Sequence, residues 1–236
     1  MTSEAIVLAG GLGTRLQEVV KDIPKPMVDI NGRVFLDYIL FLLAKGGIKR
    51  VILAVGYKHL VIEEFLQDPA KTYGMEICYS VEDEPLGTGG AIFQAFGQVQ
   101  GDAAFVINGD TYFDVPLADL EDFAASRSAD LAFALKIVEN SSRYGTVNAS
   151  AAGQILSFDE KVSGSDKQAM ISGGIYYMKK SLISARAKPA KFSVEQDFFQ
   201  KDLEYLNAYG KVYKGIFIDI GIPEDYELAQ TLLKNI

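Results

Sequence analysis

Ala5-Ile-Val-Leu-Ala-Gly-Gly-Leu-Gly-Thr-Arg-Leu16, with Pro24-Lys-Pro-Met27 close behind it, is the stretch from which the rest of the chain can be read. Ala5 to Ala9 is a short, uninterrupted apolar run that ends on glycines, the pattern of a strand buried on both faces of a parallel sheet, and from Leu12 onward the residues read as helical. The glycines therefore fall at a strand-to-helix turn. Gly10, Gly11 and Gly13 permit backbone conformations that other residues avoid and leave room for a ligand, while the helix start offers unpaired N–H groups. That combination suits phosphate. Arg15 adds a forked cation one turn into the helix, and Lys25, held between two prolines, adds a point charge on a stiff support. The expectation is a nucleoside triphosphate site, and it is not a P-loop, because the Gly-Lys-Ser/Thr ending is missing.

Composition narrows the chemistry. The chain has 236 residues, 49% of them hydrophobic, enough for a substantial core in one large domain or two small ones. Its 23 basic and 31 acidic residues give a net charge of −8, which repels a nucleic-acid backbone. Nucleic acid is thus not expected as a partner. No run approaches the length of a membrane span and the N-terminus does not read as a signal peptide, so a cytoplasmic protein is expected. One cysteine, Cys78, rules out an internal disulfide, and one histidine, His59, rules out a His-rich metal site or a His-based triad. Catalysis must rest on Asp, Glu, Lys, Arg and backbone.

Beyond the opening turn, Val34, Tyr38, Ile39, Leu42 and Leu43 fall at helical spacing, with Gly46-Gly47 as a left-handed stop. Arg50 to Val55 reads as a second buried strand, His59 to Leu66 as a helix and Met75 to Val81 as a third strand. Pro85-Leu-Gly-Thr-Gly-Gly90 repeats the glycine-rich turn before a helix from Ala91 to Phe96, and Ala103 to Asn108 is a fourth strand ending on Gly109-Asp110. This alternation predicts an α/β fold with a doubly wound, mostly parallel, Rossmann-like sheet. From Asp130 the texture changes. Leu131–Val138, Gly145–Asn148, Gln154–Phe158 and Ile171–Met178 read as strands with fewer helices between them, and Val212–Ile220 as a last strand before a helix opened by Pro223. The expected organisation is a single domain, 1–236, with a nucleotide-binding lobe over 1–128 and a smaller mixed lobe over 129–236. Ser163 to Gln168 is the most polar loop, either a lid or a solvated hairpin.

Taken in order, Leu8–Leu16, Pro24–Met27, Glu84-Pro-Leu-Gly-Thr-Gly-Gly90, Asn108-Gly-Asp110, Glu160-Lys161, Gly173-Gly-Ile-Tyr176 and Asp219-Ile-Gly-Ile-Pro223 resemble the motifs of the sugar-1-phosphate nucleotidyltransferases. Within that family the likeness is greatest to guanylyltransferases acting on mannose-like sugars. The resemblance implies condensation of a nucleoside triphosphate, GTP before others, with a sugar 1-phosphate, D-glycero-α-D-manno-heptose 1-phosphate before others, to give an NDP-sugar and pyrophosphate. It implies Mg²⁺ as cofactor, a smaller lobe that binds the sugar, and a place in surface-polysaccharide supply. A homodimer is the base-rate expectation. The chain departs from the broader pattern at Ser172, Val162, Phe217 and Ile222, residues belonging to the sugar side.

The implied reaction is in-line attack of a sugar phosphate oxygen on the α-phosphorus. The nucleophile is already anionic, since a phosphomonoester has a second pKa of roughly 6, so no general base is required. Neutralising and aligning two anions is the task. Arg15 is expected at the leaving β- and γ-phosphates and Lys25 at the α-phosphate. Asp110 and Asp219 both end apolar strands, where ligands of open α/β sheets bind, and together are expected to hold the metal; each is also a plausible N-cap. Catalytic roles therefore fall to Arg15, Lys25 and Asp110. Leu8, Gly10, Gly11, Gly13, Thr14, Glu82 and Gly87 are the nucleotide-binding set. Glu82 is assigned to the base, because an acceptor-only carboxylate suits the adjacent N1–H and N2–H₂ donors of guanine and not a pyrimidine; a solvated acidic turn is its alternative. The resemblance places Tyr144, Gly145, Glu160, Lys161 and Gly174 around the sugar phosphate. His59 reads as a helix-surface residue and Cys78 as core.

Two other functions share parts of this pattern. A glycosyltransferase consuming a nucleotide sugar shares the nucleotide-binding half, yet needs no Arg15–Lys25 pair against a β,γ-diphosphate and carries an Asp-x-Asp motif absent around Asn108-Gly-Asp110. A non-catalytic nucleotide-sugar-binding subunit would have no reason to keep Arg15, Lys25, Asp110 and Asp219 together.

Overall fold

The continuous apolar runs become the centre of one sheet because every face of their strands is covered. The computed structural model describes residues 2–11, 23–56, 58–139, 141, 143–159, 168–184 and 191–236. Strands β1 (Glu4–Leu8), β4 (Arg50–Val55), β5 (Glu76–Val81) and β6 (Ala103–Asn108) are mutually parallel in the order β5-β4-β1-β6. The short hairpin β2 (Asp29–Ile30) and β3 (Arg33–Val34) leads into helix α1 (Phe35–Lys45), which crosses over to β4. α1 ends at Gly46 and the chain turns through Gly47, whose φ of +85° needs a residue without a Cβ. α2 (His59–Phe65) and α3 (Pro69–Tyr73) precede β5, and α4 (Gly87–Phe96) precedes β6.

Alternation along the strands assigns the two faces. Ala5, Val7, Val51, Leu53, Phe105 and Ile107 share one cluster with Phe35, Leu36, Ile39 and Leu43 of α1. Leu117, Leu120 and Ala124 of α5 (Leu117–Ser126) complete that side. Ile6, Ile52, Ala54 and Val106 point the other way, onto Ala91, Ile92, Ala95 and Phe96 of α4.

The second half joins the first through one long strand. β11 (Ala169–Lys179) runs antiparallel to β6 with its C-terminal half, and bends at an irregularity between Ser172 and Tyr176. Its other neighbours are β8 (Leu131–Val138) and β9 (Thr146–Ala149), with β10 (Ile155–Asp159) beyond β9 at the edge. α6 (Lys180–Ser184) follows β11, and Val194–Gln200 forms a π-helix. The mixed strands of the second half thus extend the parallel core edge to edge, in one nine-stranded sheet, and do not form a separate layer on it.

The predicted single strand over Val212–Ile220 is corrected. It is two strands: β12 (Ala208–Val212), parallel to β8, and β13 (Phe217–Asp219), antiparallel to β7 (Thr111–Phe113). Gly215 separates them, packed so tightly that a Cβ there would lie 1.9 Å from the Asp114 carbonyl oxygen. α7 (Pro223–Leu232) then begins with Pro223 at its first position and Glu224 and Asp225 in its first turn.

Candidate active site

Three strand ends meet at the carboxyl edge of the sheet. Gly109 sits where β6 leaves the sheet beside the end of β1: its N–H donates to the Leu8 carbonyl at 3.0 Å, and a Cβ would lie 2.3 Å from that oxygen. This close approach places Asp110 beyond the Leu8–Gly11 turn. The β7–β13 ladder pairs Thr111 with Asp219, and the Ile220 N–H donates to the Asp110 carbonyl at 3.0 Å. Two aspartates far apart in sequence are therefore neighbours.

Lys25 projects between them from a short 3₁₀ turn, Lys25–Met27, with Pro24 and Pro26 on either side. Its Nζ lies 2.6 Å from Asp110 Oδ2 and 3.8 Å from Asp219 Oδ1, and its side chain is only 11% exposed. Burial, and next the charge of Asp110, push the Asp219 carboxyl up to about 6, against the pull of Lys25. Asp219 Oδ1 is buried and accepts no hydrogen bond among the described residues. An acceptor in that state, facing a second carboxylate, fits a site for a divalent cation. The described residues contain no cluster of three or more potential metal ligands, so two carboxylates are all they offer and the remaining ligands would come from phosphate and water.

On one side of this centre opens a cleft of about 780 Å³, walled by Leu8, Gly10, Gly11, Glu82, Gly87, Thr88 and Ala91, with Lys58 and His59 at its margin. Gly10 is tightly packed, since a Cβ would lie 3.0 Å from Glu82 Oε1 and 3.1 Å from the Gly56 nitrogen, whereas one on Gly11 would meet no described residue within 4 Å. Glu82 accepts a hydrogen bond from the Leu86 N–H at 2.8 Å, and burial raises its pKa. His59, read as a surface residue, lines the cleft, with Nδ1 3.3 Å from the Gly56 carbonyl.

On the other side lies a cavity of about 420 Å³ lined by Tyr144, Gly145, Asp159, Ser172, Tyr176 and Glu195, among others. Its floor is an aromatic cluster in which Phe133, Phe158 and Tyr176 pack on Phe199. Tyr144 also packs edge-on against Phe217, and burial and Asp219 push its hydroxyl up to about 12. A pocket of about 160 Å³, lined by Leu8, Gly11, Lys25, Thr88, Asn108 and Asp110, lies between cleft and cavity and shares residues with both.

The structure thus brings together Leu8, Gly10, Gly11, Glu82 and Gly87 on one side, Tyr144 and Gly145 on the other, and Lys25, Asp110 and Asp219 between them. Gly174 has a different setting: its φ is +73° and a Cβ would lie 3.0 Å from Asn108 Nδ2, so its need for glycine is met by Asn108. Gly87 likewise adopts φ +70°, with a would-be Cβ 2.6 Å from the Phe192 carbonyl oxygen, and answers to a neighbouring segment as well as to the cleft. Gly13, Thr14, Arg15, Glu160, Lys161 and nearly all of the Ser163–Gln168 loop lie outside the described residues. Cys78, half-buried in β5, has its thiol pushed up by burial and stands 3.1 Å from Arg50 Nη2. Ser172, placed on the sugar side by the sequence, lines the same cavity as Tyr144, whereas Thr88, though inside the second glycine-rich motif, and Glu195 were given no role from sequence. Their meeting is a contact between distant segments that leaves no local pattern.

Residues 4–235 match the nucleotidyl transferase family, and the chain belongs to that family. It is 46% identical to D-glycero-alpha-D-manno-heptose 1-phosphate guanylyltransferase of Campylobacter jejuni, across 94% of this chain and 96% of that protein. It is 44% identical to the protein of the same name from Aneurinibacillus thermoaerophilus, across 98% and 99%. Among solved structures, HddC from Yersinia pseudotuberculosis complexed with GMP-PN superposes with a TM-score of 0.84 at 36% identity, covering 98% of this chain and all of that one. Among the described residues no helix is long and apolar enough to cross a membrane.

Proposed function

We propose that this protein is a guanylyltransferase that condenses GTP with D-glycero-α-D-manno-heptose 1-phosphate, releasing pyrophosphate and the GDP-linked heptose. The observation that carries the reading is the position of Lys25, a largely buried cation shared by two carboxylates at the junction of two cavities. A nucleotide in the larger cleft presents its α-phosphate to this junction, and a sugar 1-phosphate in the smaller cavity presents its phosphate from the opposite side. The identities of near full-length relatives support heptose and guanine in particular.

Lys25, its side chain largely buried, stabilises charge on the α-phosphate as the phosphorus changes partners. Arg15 holds the leaving β- and γ-phosphates, and Leu8, Gly10, Gly11, Gly13 and Thr14 belong to the nucleotide-binding set. Glu82 accepts the N1–H and N2–H₂ donors of guanine. Tyr144 lines the sugar cavity, Gly145 and Gly174 give the sugar close backbone contacts, Glu160 meets sugar hydroxyls, and Lys161 balances the sugar phosphate. Asp110 and Asp219 would hold Mg²⁺, which when bound supplies charge neutralisation on the phosphate oxygens. No residue is needed as a general base, because the attacking phosphate is a dianion near neutrality.

Pyrophosphate release measured across a matrix of nucleoside triphosphates and sugar 1-phosphates, with and without Mg²⁺, tests this reading. GTP with the heptose phosphate is expected to give the highest kcat/KM. Preference for mannose 1-phosphate would move the sugar assignment, and no release with any pair would refute the enzyme.

A further inference from the structure

The segment Phe192–Glu195 is zipped onto the start of α4. The Phe192 N–H donates to the Leu86 carbonyl and the Gly89 N–H to the Phe192 carbonyl, both at 3.0 Å. A Cβ on Gly89 would lie 2.1 Å from the Phe192 ring, which packs edge-on against Phe93 of α4. Inside this seam the Thr88 hydroxyl uses both of its capacities. It accepts from the Val194 N–H at 2.9 Å and donates to Glu195 Oε2 at 3.0 Å. Ser193 Oγ lies 3.1 Å from the same carboxylate oxygen. Thr88 is a wall of the nucleotide cleft and of the pocket beside Lys25, whereas Glu195 is a wall of the sugar cavity.

We propose that Thr88 is a positioning residue that fixes the Glu195 carboxylate in the sugar cavity, where its other oxygen accepts a hydroxyl of the sugar 1-phosphate. The inference rests on the function proposed above. Glu195 is exposed and its Oε1 accepts no hydrogen bond among the described residues, so this acceptor-only oxygen is open to water in the free protein and to a sugar hydroxyl that displaces it. Like charge keeps it from the phosphate, so the hydroxyl-bearing end of the sugar is its partner. Glu195 stands in the first turn of the π-helix Val194–Gln200, a distortion that often accompanies functional sites. Because Thr88 also faces the nucleotide, the same hydroxyl ties the geometry of one substrate site to that of the other.

Steady-state kinetics of the full chain with GTP and the heptose phosphate, for Thr88→Val, Thr88→Ser, Glu195→Gln and the double variant Thr88→Val/Glu195→Gln, tests the relay. Glu195→Gln is expected to raise KM for the sugar phosphate about tenfold, the scale of one charge-assisted hydrogen bond. Thr88→Val should raise the same KM roughly fivefold, Thr88→Ser should stay within about twofold of wild type, and the double variant should be no worse than Glu195→Gln, since the two residues act as one unit. A double variant worse by the product of the single effects, or a Thr88→Val effect on the KM for GTP alone, overturns the relay. An inactive wild type would instead refute the proposed function; the sugar phosphate's thermal stabilisation of each variant then decides the relay, and equal stabilisation of wild type and Glu195→Gln, or none in either, counts against it.

Discussion

Lys25 Nζ and Asp110 Oδ2 are 2.6 Å apart at the point where β6 leaves the sheet, which makes the largely buried cation between the two cavities a partner of the residue expected to bind metal. The ion pair holds the lysine extended from its 3₁₀ turn, pre-aimed before any phosphate arrives, and preorganised charge is what speeds a reaction between anions. Lys25→Ala should therefore lower turnover by at least about 10²-fold while circular dichroism shows an intact fold. Turnover close to wild type in that variant would remove Lys25 from the mechanism.

Asp219 leads to a prediction about stability as well as activity. With its pKa raised to about 6 from an ordinary 3.8, the folded chain binds this proton more readily than the unfolded chain does. The group's contribution to stability is thus full below the unfolded value and is lost as the pH rises through the folded one. At pH 7.5 the metal-free protein bears the cost of an ionised Asp219 held beside the charge of Asp110. Asp219→Asn should then raise the melting temperature in EDTA at pH 7.5 by about 3 °C or more, with the gain shrinking toward pH 4.5, while metal-stimulated turnover disappears. A melting temperature at pH 7.5 equal to or below that of wild type would contradict the assignment.

The parts of this fold that were legible in sequence are those with a local cause. Residues 5–9, 51–55 and 103–107 are buried almost throughout, on both faces, and so are apolar without interruption; α1 shows its inward stripe at helical spacing. The nearness of Asp110 to Asp219 followed from both ending strands, but the ladder that joins them did not, because Thr111–Phe113 and Phe217–Asp219 are too short to carry a period. Ala208–Val212 was hidden because Gly210 and Lys211 interrupt its pattern, and Gly210 is there to admit the Leu135 side chain. The second glycine turn shows the converse. Gly87 and Gly89 carry the signal of a ligand-binding loop, yet the atoms closest to their missing side chains belong to Phe192, more than a hundred residues away. Contacts of that kind, including the one between Thr88 and Glu195, are set by the fold and leave no mark on neighbouring residues.

Gly11 and Gly89 should for this reason respond differently to the same substitution. Gly11→Ala adds a methyl group where no described residue lies within 4 Å, in the wall of the nucleotide cleft. Its melting temperature should match wild type, and its defect should appear as a higher KM for GTP. Gly89→Ala drives a Cβ into the buried Phe192 ring, an overpacking that costs about 1–3 kcal/mol. Because Phe192 carries the Glu195 segment, its kinetic defect should fall on the KM for the sugar phosphate. Thermal melts and KM values for both substrates separate the two, and a destabilised Gly11→Ala would show that the turn is constrained by the protein and not by its ligand.

Glu82 offers the sharpest test of base choice. Its carboxylate stands in the wall of the larger cleft, steadied by the Leu86 N–H at 2.8 Å, and burial raises its pKa because few groups there solvate the charge. A buried acceptor left without donors is costly, so a base that presents acceptors to it is rejected as well as unrewarded. Guanine satisfies both oxygens, hypoxanthine lacks the N2 amine, and uracil offers one N–H between two carbonyls. The order of kcat/KM should therefore be GTP, then ITP, then UTP, with about tenfold or more lost at the first step. Glu82→Gln should flatten that order by lowering GTP most, because the amide nitrogen now faces a donor. If UTP equals GTP in the wild type, or if Glu82→Gln leaves the GTP-to-ITP ratio unchanged, the carboxylate does not read the base.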